Sequence, residues 1–310
     1  MCLAPCAVRH FDMNILDELK QGKIILSDGA LGTLLQARGM EPGECPELWS
    51  ITHRKDLTEI AEEYLNAGSE IITTNSFGGS RIKLMQYGLG DRAVELNQVA
   101  ASICRDVAGN LKHVAGSVGP TGKMLMMGDI SEAELFDSFC EQAGALEKGG
   151  ADIIIVETMS ALDEAILAVK AARESTRCTV IITMTFSKDM KGEYFTMMGV
   201  SPAEMVISMK EAGAHIVGSN CGNGIEDMTG IVKAIRVVDN KIPVIIQANA
   251  GTPQYIDGKT VFRESPGLMA SFVPELIKAG TNIIGGCCGT TPEHIREMGK
   301  VIHYQTFPSF

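Results

Sequence analysis

Short apolar, β-branched segments recur along the chain at residues 23–27, 70–74, 113–118, 152–157, 179–186, 215–220, 243–248 and 282–286. Between them, apolar residues return every three to four positions. Leu57, Ile60, Ala61, Tyr64 and Leu65 form one such set, and Leu135, Phe136, Phe139, Cys140, Ala143 and Leu146 another. That spacing puts the apolar side chains on one face of a helix. Strands that are apolar throughout, alternating with amphipathic helices, predict a parallel sheet covered by helices. A repeated phrase precedes every second strand: Ala67-Gly68-Ser69-Glu70-Ile71-Ile72, Gly149-Gly150-Ala151-Asp152-Ile153-Ile154, Ala212-Gly213-Ala214-His215-Ile216-Val217 and Ala279-Gly280-Thr281-Asn282-Ile283-Ile284. In each, a glycine stands where a helix would close in a left-handed cap before the next strand. Eight such regular units predict an α/β protein of one domain, a (β/α)8 or TIM barrel spanning residues 23–305. Residues 1–22 read as an N-terminal tail and lead-in helix, and 306–310 as a C-terminal tail. No Gly-x-Gly-x-x-Gly opens a helix after the first strand, which argues against a dinucleotide-binding open sheet.

The length of 310 residues suits one large barrel as well as two average domains, and nothing between the strands reads as an interdomain linker. A formal charge of −11 speaks against nucleic acid, which requires a basic face. Apolar runs such as residues 153–156 fall far short of the roughly 20 residues needed to cross a membrane. The first eleven residues lack both a basic segment and a sustained apolar one, so no signal peptide is expected and the cytoplasm is the expected location. Nine cysteines without a secretion signal do not suggest a disulfide framework. Cys104, Cys140 and Cys178 read as small buried apolar residues, Cys2 and Cys6 lie in the tail, and Cys45 has no evident partner.

In barrels of this type the active groups stand at the C-terminal ends of the strands. Those ends carry, in order, Asp28-Gly29, Thr74-Asn75, Gly119-Pro120, Glu157-Thr158, Thr185, Asn220-Cys221, Asn249 and Cys287-Cys288. Three cysteines and two carboxylates therefore share one rim. Thiolates favour zinc, and three protein ligands leave a fourth position open for chemistry. Neighbouring side chains of a strand point to opposite faces, so Cys287 and Cys288 reach one metal only where the strand has ended and the chain turns. From the residues alone, three buried thiols or a vicinal Cys287–Cys288 disulfide remain equally open.

The phrases Asp28-Gly29-Ala30-Leu31-Gly32-Thr33, Thr73-Thr74-Asn75-Ser76-Phe77-Gly78, Gly119-Pro120-Thr121-Gly122, Glu157-Thr158, Gly218-Ser219-Asn220-Cys221, Asn249-Ala250-Gly251 and Gly285-Gly286-Cys287-Cys288-Gly289-Thr290-Thr291-Pro292 occur in this order. Together they resemble the homocysteine S-methyltransferase family over residues 24–301, and within it most closely the homocysteine-binding module of cobalamin-dependent methionine synthases. The resemblance implies that Cys221, Cys287 and Cys288 bind zinc and that homocysteine sulfur takes the open position as a thiolate before attacking a methyl group. It implies that Asp28 and Glu157 hold the substrate ammonium and that backbone N–H groups at Gly29 and Ala30 take its carboxylate. Thr74, Ser76 and Asn249 join the substrate-binding set, although Asn249, like Asn220, serves chiefly to orient loops. The plainer readings make Asp28 a turn or helix cap and Glu157 a solvated strand end. His294 reads as part of a helix start, and Met124, Met126 and Met127 as gap-filling side chains. Some betaine-using relatives carry a tyrosine where this chain has Phe77, which weakens a betaine reading.

The sequence shows neither a second barrel for folate nor an Asp-x-His-x-x-Gly phrase of the kind found in cobalamin modules. The expectation is therefore that cobalamin arrives only on a partner, a methyl-corrinoid protein acting in trans. The alternative is a self-sufficient enzyme using S-methylmethionine or a betaine-type donor. A more remote one is a zinc- and thiol-binding subunit without turnover.

Overall fold

The computed structural model describes residues 14–256 and 259–306; Cys2, Cys6 and both expected tails lie largely or wholly outside them. Eight parallel strands form one sheet: β1 (Ile25–Leu26), β2 (Ile71–Thr73), β3 (His113–Val118), β4 (Ile153–Met159), β5 (Thr179–Met184), β6 (Ile216–Asn220), β7 (Val244–Ala248) and β8 (Ile283–Gly286). Their order, β1-β8-β7-β6-β5-β4-β3-β2, is that of a barrel, closed by a Ser27–Ile71 bridge between β1 and β2. Glu70 N donates to Leu26 O at 2.7 Å and Asp28 N to Ile71 O at 3.1 Å across that seam. All eight expected strands are present: β3 has its expected bounds, six are trimmed by one to three residues, and β4 starts one residue late and runs two residues past its expected end.

The helices begin and end on local signals. Ser131 and Ser201 form reciprocal caps with Glu134 and Glu204 at the starts of Glu132–Gly149 and Pro202–Ala212. The four repeated-phrase glycines, Gly68, Gly150, Gly213 and Gly280, have φ between 98° and 113°, as left-handed helix caps require.

Side chains alternate along every strand. Leu26, Ile72, Val114, Ile154, Val180, Val217, Ile246 and Ile284 pack outward against the helices. Ile25, Ile71, Ala115, Ile153, Ile155, Ile181, Ile216, Ile245 and Ile283 fill the barrel interior. Ile15 and Leu19, from the lead-in helix Ile15–Lys20, join the interior group and stopper the N-terminal end. Around that stopper the charges are paired: Lys23 with Glu18 and Glu70, His113 with Glu18 at 2.7 Å, and Arg105 with Asp152 at 2.8 Å.

Two residues beyond the interior isoleucine and alanine positions, the inward-facing residues become Ser27, Thr73, Ser117, Glu157, Thr183 and Gln247. The barrel thus carries a polar floor above an aliphatic core, and the site stands on that floor.

Candidate active site at the C-terminal mouth

A cavity of about 290 Å³ opens above the polar floor. Its walls include Gly29, Ala30, Thr74, Ser76, Phe77, Ser117, Glu157, Cys221, Gln247, Cys287 and Cys288. The structure thus gathers most of the residues expected from the sequence. Asp28 and Asn249 stand just outside the lining.

Cys221 follows β6, and Cys287 and Cys288 follow β8. Their sulfurs lie within 4.8 Å of one another, with Cys221 Sγ and Cys288 Sγ 4.0 Å apart. A disulfide would need about 2.05 Å, and all three are free thiols. Zinc–sulfur bonds of about 2.3 Å in a tetrahedron set the sulfurs about 3.8 Å apart, so the trio has the spacing of a three-thiolate metal site. The chain turns as the vicinal pair requires: Thr290 N and Oγ1 donate to Cys287 O at 3.1 and 2.7 Å, and Gly289 has φ 81°. Gly286 answers a different need. A Cβ there would lie 2.3 Å from Thr290 Oγ1, inside the turn. Hydrogen bonds from Cys287 and Cys288 hold the Cys221 thiol well below its ordinary pKa, and the contact with Cys221 in turn raises Cys287 and Cys288. The Asn249 side chain adds a further hydrogen bond to Cys221, a loop- and ligand-orienting position.

Two non-glycine residues among those described have left-handed backbone, Thr158 (φ 63°) and Cys221 (φ 59°), and both border this site. A β-branched residue in that region is strained. Asn220 holds the strain in place. Its Oδ1 accepts from Thr158 N and Thr183 Oγ1, and its Nδ2 donates to Thr158 Oγ1 and to Glu157 Oε2. The resulting bulge in β4, where pairing with β5 shifts between Val156 and Met159, sets Glu157 in the cavity wall.

Burial pushes the Glu157 carboxyl up to about 7, although Ser117 Oγ donates to it; Asp28 and Cys221 add to the rise. Among the described residues no cation pairs with it. Glu157 is therefore a part-buried carboxyl in the cavity wall and not a freely solvated strand end. Asp28 is pushed up to about 6, again by burial. Its oxygens are occupied by Thr73 N at 2.6 Å, Thr73 Oγ1 at 2.9 Å and Ser27 Oγ at 3.2 Å. It braces β1 against β2 behind the cavity. The Ala30 N–H, expected to be free for a substrate carboxylate, instead donates to Thr290 Oγ1 at 3.0 Å, because the chain at Gly29 is pressed against Thr290 and Tyr64. Thr74 and Ser76 bond each other through their hydroxyls at 2.6 Å.

Other expectations resolve simply. His294 is buried, accepts from Thr291 N at 3.1 Å and meets Glu264 O at 3.0 Å, so it caps the start of the helix Pro292–Thr306. Cys45 has a partner after all, Glu47, at 3.3 Å. Met126 and Met127 are 74% and 69% exposed in the turn Leu125–Met127, so the methionine cluster fills no gap; the turn lifts it clear of the barrel. Sequence reasoning missed Gln247, Ser117 and Glu47, all in the cavity wall. Continuing the in–out alternation two residues past Ile245 and Ala115 finds the first two. Glu47 arrives from a loop and carries no such signal.

The homocysteine S-methyltransferase family model matches residues 25–302. The chain belongs to the homocysteine S-methyltransferase family. Methionine synthase of Mycobacterium tuberculosis is 31% identical over 311 residues, covering 94% of this chain and 26% of the relative; that of Mycobacterium leprae is 29% identical, covering 94% and 25%. The chain thus spans about a quarter of the length of these relatives. Among solved structures, the homocysteine methyltransferase MmuM from Escherichia coli, metallated form, superposes with a TM-score of 0.75 at 22% identity, covering 92% of this chain and 98% of that one. Its oxidized form gives 0.76, covering 93% and 99%. At that identity the likeness establishes the fold.

Proposed function

We propose that this chain holds zinc through Cys221, Cys287 and Cys288 and methylates homocysteine to methionine, with the methyl group delivered by a methyl-corrinoid protein. The observation that carries the reading is the convergence of three sulfurs from two separate strand ends onto the cavity that also exposes Glu157. Zinc bound there supplies a cation that favours the thiolate of an incoming substrate over its thiol. The chain's own residues do the rest. Glu157, pushed up to about 7 by burial, ionises when an ammonium docks against it, since an opposite charge favours the charged form. Gly29, Thr74 and Ser76 line the path of the amino-acid end, and Ala30 contributes shape rather than its N–H. Asp28 and Asn249 act from behind, the first bracing β1 against β2 and the second supporting Cys221. The aliphatic core beneath the polar floor keeps water from approaching from below.

The corrinoid donor is supported by the methionine synthase relatives, in whose company the chain aligns over 94% of its length. S-methylmethionine or a betaine-type donor is the competing source. One preparation decides. Protein purified without added metal should carry about one zinc per chain and form methionine from homocysteine with a methyl-corrinoid protein or methylcobalamin, but not with S-methylmethionine. Turnover with S-methylmethionine alone would replace the donor assignment, and fresh reduced protein without zinc would remove the metal assignment. Zinc and homocysteine binding without turnover by any donor would leave a thiol-binding subunit.

A further inference from the structure

Cys221 leaves β6 through two consecutive left-handed residues, itself (φ 59°) and Gly222 (φ 71°). A residue with a side chain persists in that conformation only where its surroundings hold it. Asn220 is fixed on the near side by its bonds to Thr158 and Thr183. On the far side the chain runs through Asn223 and Gly224 into the helix Ile225–Val238, and Gly224, at the N-cap, has no side chain with which to cap it. The acceptor comes instead from the end of another loop: Glu264 Oε2 accepts from Ile225 N at 3.4 Å. Two glycines make room for this side chain. A Cβ at Gly224 would lie 2.3 Å from Glu264 Oε1, and one at Gly251 would lie 3.0 Å from its Cγ.

The backbone of Glu264 is anchored on the side of the other two cysteines. Its N–H donates to Ala250 O at 3.0 Å, and Ala250 N donates to Cys288 O at 3.0 Å. Its carbonyl accepts from His294. Because His294 Nδ1 accepts from Thr291 N at 3.1 Å, the ring proton rides on Nε2, which stands 3.0 Å from Glu264 O. Thr291 directly follows Thr290, whose hydroxyl closes the Cys287 turn. Phe262 lies over the same turn, since a Cβ at Gly289 would stand 2.2 Å from its ring. Glu264 therefore spans the sulfur trio, its main chain fixed beside Cys287 and Cys288 and its side chain at the start of the helix that follows Cys221. Resting on the zinc reading above, we propose that Glu264 is a positioning residue for the metal, a tie that holds Cys221 at ligating distance from Cys287 and Cys288, with His294 and Phe262 as its anchors. Cutting the tie lets Cys221 relax out of its left-handed turn and leaves two well-placed sulfurs instead of three.

Competition with a chelator measures zinc affinity, and cobalt put in place of zinc reports the ligating thiolates through its sulfur-to-metal charge-transfer band. Glu264→Ala should lower zinc affinity by about tenfold to a hundredfold and weaken that band. Glu264→Gln keeps the length of the side chain and an accepting oxygen, and should restore both to near wild-type values. Ile15→Ala, at the far end of the barrel, is the control for lost stability alone: it should melt lower as metal-free protein yet keep its zinc affinity. Wild-type zinc affinity and cobalt band in Glu264→Ala would overturn the proposal. So would a Glu264→Gln protein as weak as Glu264→Ala, or an equal loss of zinc affinity in Ile15→Ala. If Glu264→Ala melts below the assay temperature, Glu264→Asp decides. It draws the carboxyl back by one methylene from an N–H already 3.4 Å away, and unchanged zinc affinity there would overturn the proposal. A wild-type protein that binds no zinc would instead show that the metal reading has failed, and this inference with it.

Discussion

The two ends of the barrel are made from the same eight strands and are built on opposite principles. At the N-terminal end, Glu18, Glu70 and Asp152 each face a cationic or imidazole partner, and Ile15 and Leu19 seal the interior. At the C-terminal end, among the described residues, Asp28 and Glu157 are held only by hydroxyl, amide and backbone donors, and two residues have left-handed backbone. One end pairs its carboxylates with cations; the other holds them with neutral donors alone among the described residues. Because side chains at strand ends differ while the isoleucine layer between them is shared, chemistry can be carried at one end without loosening the core.

That contrast breaks first at the sulfurs. Cys287→Ala should abolish stoichiometric zinc and lower methyl transfer by at least about a thousandfold while leaving the circular dichroism spectrum intact. A zinc-free variant with full activity would end the metal reading. At the opposite end, Ile15→Ala should lower unfolding free energy by about 2–5 kcal/mol in a denaturant titration and leave homocysteine affinity unchanged. A large loss of affinity there would mean that the two ends are not independent. Glu157→Ala should weaken homocysteine binding about tenfold to a hundredfold by calorimetry, with zinc retained.

The smallest effect concerns pH. Asp28 has a folded pKa raised from 3.8 to about 6, so the native state binds its proton more tightly than the unfolded chain. Its contribution to stability is present below about pH 4 and lost as pH rises through 6, on the order of 1–3 kcal/mol. Glu18, at the other end, is lowered: burial raises it, but bonds from Lys23 and His113 outweigh that. Its contribution is present above pH 4.5 and lost as pH falls through its folded value. Asp28→Asn should therefore flatten the decline in stability between pH 4 and 7, whereas Glu18→Gln should destabilise the protein at pH 7 and matter little at pH 3. Denaturant midpoints across that range give the two signs, and identical profiles for both variants would contradict the contrast.

The strands were legible because an interior strand of a barrel must be apolar on both faces, and the short β-branched run Ile153-Ile154-Ile155-Val156 favours a strand over a buried helix. The repeated glycines were legible because a left-handed helix cap favours glycine. The cysteines could be named from the chain, but their convergence could not be derived from spacing, since 66 positions separate Cys221 from Cys287 (287 − 221). Other features were out of reach for a physical reason: they depend on which atoms meet across strands far apart in sequence. Asp28 looks free in the chain and is taken by Thr73; the Ala30 amide looks available and is taken by Thr290. Glu157 reads as an ordinary carboxylate until the bulge at Thr158 and the Asn220 clamp set it, part-buried, in the cavity wall. The sequence by itself determined the barrel, its caps and the cast of residues at the mouth, because periodicity and glycine geometry are local. Only the tertiary structure decided which of those residues remain free to act, because hydrogen-bond partners and burial are properties of the assembled barrel.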